Sequence, residues 1–328
     1  MKKPIAVLIA LTMALSLAAC SNENGGEGDG ADTGGTVSAA DTTTGGAENN
    51  ADGNGESAGI ISEAPESDTE YTEPSAEDLE YCYDEEIGGI KITNYNGGAS
   101  AVRFPSELDG EPVKSVSLKQ NTEVTGVVLP DSVTEIGDYA FFGCTGLTDI
   151  SIPGSVAVIG ENAFFQCSSL AGASIPESVT EIGGYAFSEC TALTVIDLPD
   201  SIAEIGAGVF SGCSSLTGVS IPKSVEAIGI FAFSECTALK SIDLPDGVTA
   251  VKDFAFRGCS SLTEITFPDS IERIGAETFS GCGSLTGITV PDSVESIGYR
   301  AFYECTELTV TYKGEQYTYA NDPDGWWS

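Results

Sequence analysis

The sequence predicts a solenoid of stacked coils, one coil per repeat, and three columns of residues predict it. Pro130, Pro153, Pro176, Pro199, Pro222, Pro245, Pro268 and Pro291 recur every 23 residues. Phe141, Phe164, Phe187, Phe210, Phe233, Phe256, Phe279 and Phe302 keep the same period, and Cys144, Cys167, Cys190, Cys213, Cys236, Cys259, Cys282 and Cys305 follow three residues after each Phe. Eight copies without an insertion, each too short to bury a core alone, mean one supersecondary unit per repeat resting on its neighbours.

Before the repeats, Lys2 and Lys3 precede an apolar run over residues 5–19 that ends Leu17, Ala18, Ala19, Cys20. The run is too short to span a bilayer comfortably and reads as a secretory signal over residues 1–20. Its last four residues resemble the bacterial lipobox, which implies Cys20 as the lipid attachment residue; an ordinary signal cut after a small residue is the other reading. Residues 21–76 are Gly, Ala, Ser, Thr, Asn, Asp and Glu with almost no large apolar side chain. Nothing there offsets the entropy of ordering, so a disordered linker is expected. No Lys or Arg occurs between Lys3 and Lys91, so like charges extend the linker beyond the roughly 40 Å of a flexible chain. Gly25 to Gly30 follows no strand and opens no helix, which argues against a phosphate loop.

The formal net charge is -37 and the pI about 4.1. This excludes nucleic acid as a partner and leaves a lipid as the route to a membrane. The chain has no histidine, which removes the commonest general base and the commonest metal ligand. With no nucleophile beside a base and no irregular insertion to shape a pocket, neither an enzyme nor a cofactor or metal is expected.

Within a repeat, Leu147, Ile150 and Ile152 predict a short strand with Asp149 and Ser151 on its outward face, stopped by Pro153. In register with its copies it becomes one rung of a parallel sheet. Val133 to Gly137 reads as a second short strand and Tyr139 to Cys144 as a single helical turn, with the Gly137 column at a bend that a Cβ would hinder. The Phe column is expected to stack through the centre, each ring burying on the order of 2 kcal/mol of apolar surface.

The pattern LxxIxIPxSVxxIGxxAFxxC, held in phase over residues 130–310, resembles the BspA-like (Treponema-type) leucine-rich repeat family. Gly89 to Val116 is similar to the β-hairpin cap that opens such domains, and residues 309–319 (TVTYKGEQYTY) to their closing strands. Asn121 precedes Val124 as each Cys precedes its Leu, so the first unit is a shortened repeat with Asn in the Cys slot. The expected organisation is therefore a cap and degenerate first repeat over 77–126, the solenoid over 127–310 and a C-terminal cap over 311–328. The resemblance implies a curved solenoid on a bacterial surface, used in that family for adhesion to host or partner proteins. A protein or a surface glycan is the expected partner; a structural or assembly component of the envelope is the competing expectation.

Four constellations remain. Cysteines at one position in adjacent coils have Cα atoms about 4.8 Å apart, inside the disulfide window, yet one small buried residue per coil is equally what packing requires; free thiols are the expectation. The residues between the two apolar strand positions, Ser151, Ser174, Asp197, Ser220, Asp243, Thr266 and Thr289, form an outward strip that is either a solvated face or a shallow binding face. Phe231 and Phe254 share one position in adjacent repeats. With Ile230 and Arg257 they make either an exposed patch with a cation or rings lying flat over the groove between coils. Asn321 to Gly325 has calcium-like acids but no distal Glu, and is expected to be a turn.

Overall fold

The computed structural model describes residues 70–321 and 325–326; the leader with Cys20, most of the linker and Trp327 lie outside them. Five strands build the start of the fold: β1 (Leu79–Asp84), β2 (Gly89–Tyr95), β3 (Ala101–Arg103), β4 (Glu107–Leu108) and β5 (Glu111–Val116). β1 is antiparallel to β2, β2 is parallel to β5, and β4 closes a hairpin onto β5. The hairpin turns at Asp109 and Gly110, both left-handed with φ of 55° and 84°, the pairing that a two-residue turn between twisted strands requires.

From there each coil, except for residues 218–220 on the outward side, gives one strand to each of two stacks. The outward stack runs from β3 through Gly126–Val128 and Asp149–Ser151 to Gly287–Val290 and Thr309–Tyr312, every pairing along it parallel. The other stack holds two-residue strands, Glu135–Ile136 to Ser296–Ile297, also in parallel register. Ile136, Ile159, Ile182, Ile205, Ile228, Val251 and Ile274 are buried along it, and Ile90 and Val113 of the cap extend the same spacing backwards.

The segment expected as a helical turn is a turn that cannot propagate. Tyr139, Asn162, Tyr185, Gly208, Phe231, Phe254, Glu277 and Arg300 all lie in the left-handed region, with φ between 50° and 60°. Four residues later comes a second left-handed position, from Gln120 to Glu304. In the first coil the Phe142 and Cys144 N–H groups bond back three residues, to Tyr139 and Phe141. The N–H groups of Tyr139, Phe141 and Gly143 instead donate to Glu161, Ala163 and Phe165 of the next coil. Stacking thus takes the donors a helix would keep for itself.

The predicted Phe stack is present. Neighbouring rings from Phe141 to Phe302 lie 5.1–5.9 Å apart with planes within 19° of parallel, and all eight are fully buried. Trp326 meets Phe302 edge-on at 6.2 Å, buried at the end of the stack. Arg300 N–H and Phe302 N–H donate to Gly325 and Trp326, which stand where a further coil would.

The glycine column answers to distance rather than to backbone angle. A Cβ on Gly298 would sit 2.3 Å from Ala276 N, and one on Gly183 2.5 Å from Glu161 N. At Gly137 the nearest atom is Ser115 Oγ at 4.0 Å. Lys252 occupies the same column, and its Nζ pairs with Glu204 at 2.6 Å.

Candidate binding site

The cysteines serve the fold rather than a site. Each Sγ donates to the carbonyl 26 residues earlier, at 3.0–3.2 Å: Cys144 to Leu118, Cys167 to Phe141, and so on to Cys305 to Phe279. Asn121, in the Cys slot, aims Nδ2 at the carbonyl of Tyr95, also 26 residues earlier, at 3.5 Å, while Oδ1 accepts from Val124 N at 2.9 Å. The slot therefore asks for a small donor. Cys144 through Cys282 are free thiols. Burial pushes Cys144 and Cys213 up to about 12 and holds Cys190, Cys236, Cys259 and Cys282 well above the ordinary thiol range. A thiol that keeps its proton is a poor nucleophile and a poor metal ligand.

The outward strip is where the sequence placed it. Ser174, Asp197, Ser220, Asp243, Thr266 and Thr289 are exposed, with Ile196, Ile242, Ile265 and Ile288 buried beneath. Residues 218–220 form no strand, and a groove of about 480 Å³ opens there, lined by Ser220, Lys223, Ser241 and Asp243. Ser151 is only half exposed. Beside it Tyr71, which sequence reasoning did not single out, lies across the face: its hydroxyl donates to Asp149 at 3.0 Å, and Arg103 sits 5.8 Å from its ring. Thr72 forms a parallel bridge with Val102, fixing the chain there. A Cβ on Gly126 would come 3.2 Å from the Tyr71 ring, so this glycine makes room for it.

The turn edge holds the other predicted residues, and the structure brings them together. Phe231 and Phe254 stack at 4.7 Å with planes 10° apart, the Arg257 guanidinium lies 5.8 Å from the Phe254 ring, and Ile230 is 41% exposed beside them. The rings are half-buried, so both sequence readings hold in part: they bridge two coils and still show an edge. A second stacked pair on this edge, Phe142 and Phe165 at 5.4 Å, was not singled out from sequence.

Continuing from Phe254 towards the C-terminus, an open groove of about 700 Å³ follows the same edge. Gly258 and Gly281 take the second left-handed position in consecutive coils, where Glu235 and Glu304 stand on either side. Removing two side chains in a row leaves the groove its floor. Arg257, Arg300 and Tyr303 line it. Arg300 has Tyr299 and Tyr303 each 5.0 Å from its guanidinium carbon. The Arg300 position carries Tyr, Asn, Gly, Phe or Glu in the other repeats and the Tyr303 position Phe, Ser or Arg, so no column marks Arg300 and Tyr303 as a unit.

A family profile described as BspA type Leucine rich repeat region matches residues 114–237 and 203–322, in six copies. No curated protein matches the chain. Among solved structures, a leucine-rich repeat protein of T. pallidum is 35% identical, covering 65% of this chain and 91% of its own, with a TM-score of 0.49. One from Bacteroides ovatus is 28% identical, covering 71% and 86%, at 0.37. A leucine-rich cell surface protein from Faecalibacterium prausnitzii is 24% identical, covering 74% and 95%, at 0.43.

Proposed function

The chain belongs to the BspA-type leucine-rich repeat family, and from that premise we propose that it is a non-enzymatic adhesion protein, lipid-anchored through Cys20 at a bacterial surface, that binds a protein partner. Members of such solenoid families commonly bind proteins. The observation that carries the reading here is the cluster of Phe231, Phe254 and Arg257 with Ile230 exposed beside it, since partly desolvated aromatics with an arginine are what anchor most interfaces. The outward strip is shallow, and the aromatic with an arginine on it, Tyr71 beside Arg103, is already tied to Asp149, so the strip contributes complementarity rather than affinity. The extended acidic linker holds the solenoid away from the membrane.

The full chain, immobilised and exposed to proteins of the organism's surroundings, is expected to retain a partner that the Phe231→Ala, Phe254→Ala double variant releases. A partner retained equally by both would remove the turn edge from the reading. Co-purification with envelope proteins alone would favour an assembly component instead. Cys20→Ser is expected to move the protein from the membrane fraction to the soluble one; persistence in the membrane fraction would sink the anchor.

A further inference from the structure

Two arginines on the turn-edge groove are mounted in the same unusual way. Arg257 lies against the Phe254 ring at 5.8 Å, and Arg300 is held between Tyr299 and Tyr303 at 5.0 Å each. Their nearest compensation is weak: Arg257 Nη1 reaches Glu277 Oε2 only at 4.0 Å, and Arg300 makes no ion pair among the described residues. Arg300 Nε is buried and has no hydrogen-bond partner. A buried donor left empty, in a chain with 50 acidic residues against 13 basic ones, requires an explanation. An aromatic mount holds a guanidinium plane fixed, and with the Arg300 Nε enclosed its two terminal Nη groups are the fork left to read a planar carboxylate bidentately.

We propose that this groove takes an extended acidic segment of the protein partner, with Arg257 and Arg300 each receiving one carboxylate; the proposal rests on the protein-binding reading above. The groove also argues against a sugar ring. Phe254 already has Phe231 against it at 4.7 Å and Arg257 at 5.8 Å, and Tyr303 has Arg300, so each groove ring already gives up a face that a pyranose would stack on. The two arginines lie in coils two apart, about 10 Å along the stack, with Arg300 at the Phe254 position and Arg257 three residues further on in its own coil. A polyproline II peptide repeats its face every three residues, or about 9 Å, so acids at positions i and i+3 match. Glu235, Glu277 and Glu304 around the groove select against dense polyanions, because each extra negative charge on a ligand meets one of theirs.

The chain has four arginines, Arg103, Arg257, Arg273 and Arg300, so the side-chain Nε–Hε signals in a 15N NMR spectrum form a compact readout. Titration of the full-length protein with acetyl-Glu-Pro-Pro-Glu-amide is expected to shift the Arg257 and Arg300 signals saturably and leave Arg103 and Arg273 in place. The Gln-Pro-Pro-Gln counterpart is expected to shift none. Arg300→Lys, which keeps the charge and loses the fork, is expected to weaken the Arg257 response at least ten-fold, with unmoved Arg103 and Arg273 signals reporting an intact fold. The proposal falls if all four signals move together, if the Gln peptide acts equally, if Arg300→Lys binds as the parent does, or if only a uronic-acid disaccharide gives a saturable response. Partner capture that persists in Arg300→Lys and is lost in the Phe231, Phe254 double variant would discard this inference and leave the proposed function standing.

Discussion

Raising the pH from 8 to 9.5 is expected to unfold the solenoid through its cysteines. Burial is the largest cause of the upward shift at each ladder thiol; Cys305, the least enclosed, still stands at about 11, and Cys144 and Cys213 at about 12. An unfolded thiol ionises near about 8.5. Between those values the unfolded chain releases protons that the folded chain keeps, so stability present below the unfolded value is lost as pH rises towards the folded one. Each thiol contributes about 1 kcal/mol to that loss over the interval, and eight together on the order of 8 kcal/mol, comparable with the whole stability of a domain. Urea midpoints recorded with reductant at pH 7, 8, 9 and 9.5 read it directly, and the interval lies below the main ionisation of Tyr and Lys. A midpoint unchanged between pH 8 and 9.5 would refute the argument, since it would mean that the thiols do not keep their protons in the folded state.

Two substitutions probe the stack itself. Phe210→Ala removes a fully buried ring from between Phe187 and Phe233 and is expected to cost about 3–5 kcal/mol in chemical denaturation. Gly298→Ala drives a Cβ to 2.3 Å from Ala276 N and 2.4 Å from Gly275 C, backbone atoms that have no rotamer to yield, so a loss of about 2–4 kcal/mol is expected. Gly137→Ala in the same column meets nothing closer than 4.0 Å and is expected to be neutral or to gain up to about 1 kcal/mol. Equal losses at the two glycines would show that the column answers to backbone angle after all.

The coils were legible where one residue type serves one slot. Phe, Cys and Pro recur because a central ring, a small donor and a strand stop tolerate few substitutes. The first coils were less legible because their slots are filled differently. Tyr95 and Leu118 occupy the Phe position at the same 23-residue spacing, and Ile90 and Val113 the second-strand position. On the other stack Ala101 pairs with Gly126, 25 residues on, so two extra residues hide the phase there. At the far end Ile288 pairs with Val310, 22 residues on, one residue short. The left-handed positions left no trace at all, because Tyr, Asn, Gly, Phe, Glu and Arg share one conformation in that column. What specifies it is the next coil's carbonyl, a partner that no local sequence window contains. Tyr71 escaped for the same reason, lying in a polar stretch and acquiring its place from Asp149, 78 residues away, and from the Thr72 bridge to Val102.

That column also bears on where function resides. A left-handed residue other than glycine costs about 1–2 kcal/mol, somewhat less for Asn. Glycine would remove the cost, and Gly208 shows that the stack accepts it. Seven of the eight positions nevertheless keep a side chain. At Tyr185 the reason is packing, for its ring covers Gly208 so closely that a Cβ there would lie 2.2 Å from it. Phe231 and Phe254 return part of the cost by stacking on each other at 4.7 Å, and Arg300 by lying against Tyr299 and Tyr303, yet all three keep an edge at the surface. Strained positions that carry surface-facing aromatic and cationic groups are where a demand from outside the fold would act. The positions that disagree from coil to coil, rather than the columns that define the coil, are therefore where the proposed partner is to be sought.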